Sequence, residues 1–349
     1  MNNSIRELID QLEQTHSLTH TEYAELIDSR TAEAASYLAG KARRACQGIY
    51  GDAVYIRGLI EVSNICANDC LYCGIRRSNA SCQRYQLTAK QILSCCQEGY
   101  ALGFRTFVLQ GGERGIDIDT LCGIVRSIKK MFGDCAVTLS LGEYPYEAYR
   151  ALFEAGADRY LLRHETADRT HYQLLHPPEM SYDNRMRCLR DLKEIGFQTG
   201  CGFMVGSPGQ TTDTIATDLK FVETFAPAMC GIGPFIPHAD TPFGTKQAGS
   251  VELTLYLLSI LRLIRPTLLL PATTALGTLL PNGREQGMMA GANVVMPNLS
   301  PPEARKKYTL YNGKKHSGME SAQHVAELRQ RMAAIGLRVV ASRGDAASV

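Results

Sequence analysis

From residue 53 onward, eight short runs rich in β-forming residues alternate with longer amphipathic stretches, and this alternation restricts the fold more than any other feature of the chain. The runs are 54–62, 106–109, 136–141, 159–162, 199–205, 229–232, 268–272 and 293–296. Segments between them, such as 89–102 and 183–195, have helix length and helical spacing of apolar residues. A parallel connection needs a crossover long enough to hold a helix, so this pattern specifies a parallel sheet. Eight strand-helix units in ~300 residues match the size of a (β/α)8 barrel, and the expected fold class is α/β, a TIM-type barrel. A doubly wound open sheet is the rival, weakened because no run is followed at once by a GxGxxG phosphate loop.

Residues 1–50 read as an N-terminal helical extension: Ile5, Ile9 and Leu12 recur at helical spacing, with Thr19 and Thr21 as candidate caps. Residues 51–300 form the barrel, and 301–349 a C-terminal segment packing on it. With 37 Lys and Arg against 35 Asp and Glu, the net charge of +2 gives no electrostatic reason to expect nucleic acid or an anionic membrane as partner. The first residues, MNNSIRELIDQLEQ, lack the apolar core of a signal peptide, so the expected location is the cytoplasm. The most apolar stretch, 253–280, is interrupted by Arg262, Arg265, Pro266 and Pro271 and reads as a buried helix followed by a buried strand.

Of the 12 cysteines, three are clustered as Cys66, Cys70 and Cys73, a CxxxCxxC loop directly after the first run. Three thiolates ligate three irons of a 4Fe-4S cluster and leave the fourth iron open to a ligand that is not protein. An open iron can chelate S-adenosylmethionine (SAM) and reduce its sulfonium, releasing a 5′-deoxyadenosyl radical. The alternative is a closed zinc site with Cys82, nine residues downstream, as fourth ligand, since no histidine follows the motif before His164. Cys46, Cys82, Cys95, Cys96, Cys122, Cys135, Cys188, Cys201 and Cys230 otherwise read as small buried hydrophobes.

Informative polar residues recur at the ends of the runs, where a barrel enzyme builds its active site. Gln110, Gly111, Gly112 and Glu113 follow the second run; the glycines allow close backbone approach to a ligand, although a tight turn ending in an acid reads the same way. Ser140 and Glu143 follow the third, as hydrogen-bonding partners for a ligand or as a turn with an exposed acid. Arg163 and Glu165 leave the fourth, and Arg185 opens the next helix; the guanidinium groups can fork onto a carboxylate or pair internally with the acids. Thr273 and Thr274 bring hydroxyls after the seventh run, and Met296 ends the eighth, as cavity wall or as core. His164 and His238 read as structural histidines. Tyr308 and Tyr311 either close the cavity or pack the last helix.

The cysteine spacing, Tyr72 before the last cysteine and the alternation resemble the radical SAM superfamily. The stretches SNICANDCLYCGIRRSN at 63–79, VTLSLGEYP, AGADRYLLRHETA, MVGSPGQT, GIGPFIPHADTP, PATTALGTLLPNGRE and GANVVMPN resemble, from about residue 20 to 315, the HydE family of FeFe-hydrogenase maturases. The resemblance implies one 4Fe-4S cluster on Cys66, Cys70 and Cys73. It places Tyr72, Gln110, Gly111, Gly112, Glu113, Ser140, Glu143, Glu165 and Arg185 around SAM, and Arg163, Thr273, Thr274, Met296 and Tyr308 around the substrate. It further implies that no acid or base is needed beyond cluster and SAM, and that the radical attacks sulfur of a cysteine-bound Fe(CO)2(CN) synthon made by HydG, the product passing toward HydF. The alternatives are a methylornithine synthase or biotin-synthase-like enzyme on an amino acid or small carboxylate and, from another class, a non-catalytic zinc-binding barrel. Some relatives carry a second cysteine trio near the C-terminus. This chain has no cysteine after Cys230 and shows His316 and His324 in that region, so a single cluster is expected.

Overall fold

The computed structural model describes residues 3–314 and 321–347. Three helices open the chain, Asn3–Thr15, His20–Asp28 and Ala32–Tyr50. Ile5, Leu8, Ile9 and Leu12 bury one face of the first. Thr19 caps the second in a reciprocal box with Glu22, whereas Thr21 lies inside that helix and Thr31 caps the third. Buried tyrosines fix this layer against later helices: Tyr256 Oη donates to Leu26 O (3.0 Å), and Tyr23 Oη to Glu223 (2.9 Å).

The strands are β1 (Ala53–Ile56), β2 (Gly58–Ser63), β3 (Thr106–Gly111), β4 (Ala136–Ser140), β5 (Arg159–Leu161), β6 (Gln198–Cys201), β7 (Met204–Val205), β8 (Met229–Cys230), β9 (Gly233–Pro234), β10 (Val294–Val295) and β11 (Arg338–Val340). A parallel sheet runs in the order β2-β3-β4-β5-β6-β8. Beyond β8, pairing continues through single parallel bridges, Met229 to Leu269 and Pro271 to Val294, and β10 then pairs with β1. A further bridge joins Leu59 of β2 to Asn298.

Four of the expected runs depart from regular strands. The run 54–62 breaks at Arg57, whose side chain is fully buried. The run 199–205 breaks where Gly202 passes so close to its neighbour that a Cβ would stand 2.1 Å from Gly231 O. Residues 229–232 pair only at Met229 and Cys230, and 268–272 forms no regular strand, because Pro271 has no N–H to donate. Buried Arg262 compensates: it donates to Leu268 O (2.6 Å), Gly291 O (2.8 Å) and Asn293 Oδ1 (3.2 Å), tying the seventh run to the eighth. An arginine that interrupts an apolar helix in sequence thus holds together the edge where strand pairing is thinnest. No described helix is long and apolar enough to cross a membrane.

The C-terminal segment adds β11 alongside β1 and then crosses the N-terminal ends of the sheet. Arg159 donates to Arg343 O (2.8 Å) and pairs with Asp345, Arg343 pairs with Asp158 (2.9 Å), and Gln198 donates to Asp345 (3.1 Å). This ion network covers one end of the sheet and leaves the C-terminal strand ends for function. Burial raises the Asp345 carboxyl, but hydrogen bonds from Arg343 and Arg159 outweigh it and bring the pKa down to about 2. A depressed carboxylate pKa contributes stability that is complete above its unfolded value and lost as pH falls through the folded one. Asp345→Asn should therefore lower the urea midpoint by a constant amount above about pH 5, and the gap should narrow as pH falls from about 4 toward 2.

Candidate active site

A cavity of about 360 Å³ opens at the C-terminal ends of the strands. Cys66, Cys70 and Cys73 line it, as do Tyr72, Gln110, Gly111, Gly112, Glu113, Ser140, Glu165 and Arg185. So do Arg163, Thr273, Thr274, Met296, Tyr308 and Tyr311. Of the residues singled out around the cofactor and substrate, Glu143 alone lies outside the wall; it stands behind Arg185.

The cysteines sit on a loop fixed by backbone contacts. Arg84 gathers the carbonyls of Asn64 (2.7 Å), Ile75 (2.8 Å) and Arg76 (2.6 Å), while Asp69 pairs with Arg76 at 2.7 Å and accepts from Ser78 N at 3.0 Å. Two glycines set the depth at which the loop seats. A Cβ on Gly112 would lie 2.2 Å from Ile65 O, and one on Gly74 would lie 2.1 Å from Thr309 O. The glycine turn after β3 and the segment 308–314 therefore approach the loop from two sides, with Ala67 N donating to Glu113 O (3.0 Å) and Gly74 N to Leu310 O (2.9 Å). Tyr72 Oη donates to His176 Nε2 (3.2 Å), whose Nδ1 donates to Tyr172 O (2.9 Å). Burial lowers the His176 pKa to about 3, so the ring is a neutral acceptor at physiological pH.

Burial pushes the Cys66 thiol up, the Cys70 thiol well up, and the Cys73 thiol to about 12, with neighbouring cysteines adding to the shift at Cys70 and Cys73. Three half-buried thiols in the wall of one cavity favour a cationic group that holds them as thiolates. Tetrahedral zinc needs donors about 2.3 Å from one point. Among the described residues no three His, Cys, Asp or Glu side chains converge in that way. A cubane instead takes one thiolate at each of three separate corners, and Cys66, Cys70 and Cys73 all line one cavity. Cys82 is outside the wall and half-buried, with its sulfur accepting from Asn64 Nδ2 (3.5 Å), so it is not the core residue expected; the other eight scattered cysteines are buried.

Acids and arginines form a connected wall. Glu143 binds Arg185 Nε, Arg185 Nη1 donates to Arg163 O (2.7 Å), and Glu143 N donates to Glu113 Oε2 (2.8 Å). Burial raises the Glu113 pKa, against the pull of that amide. Glu165 has φ 65°, a left-handed conformation that a non-glycine residue adopts at a cost, and its Oε2 lies 3.5 Å from Arg163 Nη2. Glu165 lines the cavity from this conformation. His164 and His238 are structural: His164 accepts from Gly202 N (3.2 Å) and faces buried Asp218 at 3.3 Å, and His238 accepts from Asp240 N (3.2 Å).

Sequence reading missed Glu61 and Lys314. They form a buried ion pair in the cavity wall, and Lys314 also donates to Tyr308 O (2.8 Å). Gln110 reaches Tyr308 Oη at 3.4 Å, so Tyr308 belongs to the cavity and not only to the packing of a helix. Buried Arg284 also lines the wall. An acid in an apolar strand was the only available signal for Glu61. His316 lies outside the described residues, and His324 is exposed.

Residues 60–222 match the Radical SAM superfamily. The FeFe hydrogenase maturase subunit HydE of Thermotoga maritima is 45% identical over 312 residues, 88% of each chain. The 3-methylornithine synthase of Methanosarcina barkeri is 27% identical over 299 residues, 85% of this chain and 83% of that one. A crystal structure of methylornithine synthase superposes with a TM-score of 0.83 at 24% identity, covering 95% of this chain and 97% of that one.

Removing one partner of a buried ion pair leaves the other charge uncompensated. Glu143→Ala, which orphans Arg185, should cost roughly 3–5 kcal/mol of stability by urea denaturation, and Glu143→Gln, which keeps a hydrogen-bond acceptor, clearly less.

Proposed function

The chain belongs to the HydE family of the radical SAM superfamily, and from that premise we propose that it acts in assembly of the FeFe-hydrogenase two-iron site on a cysteine-bound Fe(CO)2(CN) synthon supplied by HydG, its product passing to HydF. The observation that carries this reading is one cavity with three half-buried thiols in its wall near the acid and arginine network, and, among the described residues, buried polar atoms without hydrogen bonds for a second ligand. In this reading the fold is a closed (β/α)8 barrel of residues 51–300, supported by the bridges that run on from β8 to β1, between a helical extension of 1–50 and a packing segment of 301–349. The place of action is the cytoplasm.

Cys66, Cys70 and Cys73 hold a single 4Fe-4S cluster, and the chain has no cysteine after Cys230 to hold another. Such a cluster with an open iron supplies the electron that splits SAM into methionine and a 5′-deoxyadenosyl radical. The residues of the chain bind and orient. Arg185, held by Glu143 and Arg163 O, offers its guanidinium to the methionine carboxylate, and Glu165 and the Gly111–Gly112 backbone take the amino group. Ser140 and Glu113 border the nucleoside. Arg163, Thr273, Thr274, Met296 and Tyr308 form the substrate wall, where Arg163 Nε and Nη2 and Thr273 Oγ1 are buried without a hydrogen-bond partner and suit an anionic group. Membership of the radical SAM superfamily displaces the zinc-binding reading, and 45% identity to the maturase against 27% to methylornithine synthase favours maturation over an amino acid rearrangement.

Anaerobic reconstitution with iron and sulfide, then reduction in the presence of SAM, should release 5′-deoxyadenosine and methionine, with the HydG product increasing turnover. Cys70→Ala should lose cluster retention and release neither, whereas Cys230→Ala should keep both; equal loss in the two variants contradicts the ligand assignment.

A further inference from the structure

Hydrogen-bonding groups in the cavity wall do not balance. Among the described residues, Arg163 Nε and Thr273 Oγ1 are buried donors without a hydrogen-bond partner, Arg163 Nη2 and Glu165 Oε2 face each other only as an ion pair, and Glu61 Oε2 is a buried acceptor without a hydrogen-bond partner. Glu165 Oε2 has a guanidinium 3.5 Å away. Glu61 Oε2 does not. Glu61 is completely buried, at 0% exposure, and the rest of the residue is engaged. Its Oε1 holds Lys314, its amide donates to Ser300 Oγ (2.7 Å), and its carbonyl accepts from Tyr85 Oη (2.8 Å). Lys314 cannot swing across to serve both oxygens freely, because it also donates to Tyr308 O (2.8 Å) and lies over the Tyr308 ring at 4.7 Å.

A buried carboxylate oxygen with no donor carries an unrecovered desolvation cost, which a ligand bringing a charged N–H removes. We propose that Glu61 is the acceptor for the protonated amine of the substrate, so that the cavity takes a zwitterionic α-amino acid moiety with its amine on Glu61 and its carboxylate toward Arg163 and Thr273. The inference rests on the reading that this cavity holds the substrate of a radical SAM enzyme. It assigns polarity to a cavity otherwise described only by its anion-accepting side. Lys314 then acts as a positioning residue, fixing one carboxylate oxygen so that the other is presented to the ligand.

The test uses reconstituted holoenzyme with SAM and no reductant, titrated calorimetrically with S-methyl-L-cysteine and with 3-(methylthio)propionate, the same acid without its amine. Wild type should bind the amine-bearing probe about tenfold or more tighter, as expected for a charge-assisted hydrogen bond. Glu61→Gln should bring the two probes to within about twofold by weakening the amine-bearing one alone. The double variant Glu61→Gln/Lys314→Gln removes both charges together, so it avoids an orphaned cation and should give the same loss if the single variant folds poorly. Wild type that binds both probes equally, or neither, overturns the assignment, and so does a variant that keeps the preference. SAM cleavage by the same preparations after adding reductant separates the two claims. Cleavage without amine preference overturns only the role of Glu61, whereas amine preference without cleavage overturns the radical SAM reading of the cavity.

Discussion

Everything at this site depends on how deeply one short loop can sit. Cys66 to Cys73 are brought to the cavity because the loop carrying them is clamped between two pieces of backbone, the glycine turn after β3 and the segment 308–314. At both contacts a side chain as small as a methyl group would collide with a carbonyl. Arg84 and Asp69 then remove the loop's remaining freedom by taking up carbonyls and amides that strand pairing does not use. Three thiols are thereby fixed in a buried setting that penalises their ionisation, and a positively charged group is what such a setting lacks.

A second constraint is charge. The cavity is half-lined with apolar residues, yet it buries several acids and arginines, and each is tolerable only through its partners. Glu143 serves Arg185 from behind, Arg185 in turn braces the carbonyl of Arg163, and Glu113 is held by the Glu143 amide. A change of the Glu143 side chain, which lines no part of the cavity, is therefore felt at Arg185 and through it at Arg163, while the contact to Glu113 stays because the backbone amide makes it. Glu61 and Lys314 make a separate pair that ties the C-terminal segment to the first part of the sheet, so the segment that clamps the cysteine loop also completes the cavity wall.

Much of this was legible in the sequence, and the limits have physical causes. The cysteine spacing and the polar residues ending each run pointed to about half of the residues that line the cavity, because in a parallel α/β fold the C-terminal strand ends converge whatever the loop details. Strand regularity was not legible: the break at Arg57 and the close approach at Gly202 depend on what lies opposite, and the run 268–272 looks like a strand until its proline is set against its neighbour. The Glu61–Lys314 pair joins residues 253 positions apart, and neither residue belongs to a motif. Arg262 was legible as a charge that keeps an apolar helix in the protein core, whereas its hydrogen-bonding role appears only in three dimensions.

The central claim is that the three clamped thiolates hold a cluster with one iron left for SAM. Electron paramagnetic resonance of the reconstituted, reduced protein, with and without SAM labelled with nitrogen-15 at the methionine amino group, tests it directly. The account predicts about four irons per chain and a reduced-cluster signal that shifts on SAM addition and acquires coupling to the labelled nitrogen. An unchanged signal with no coupling, from a fully loaded cluster, would contradict it.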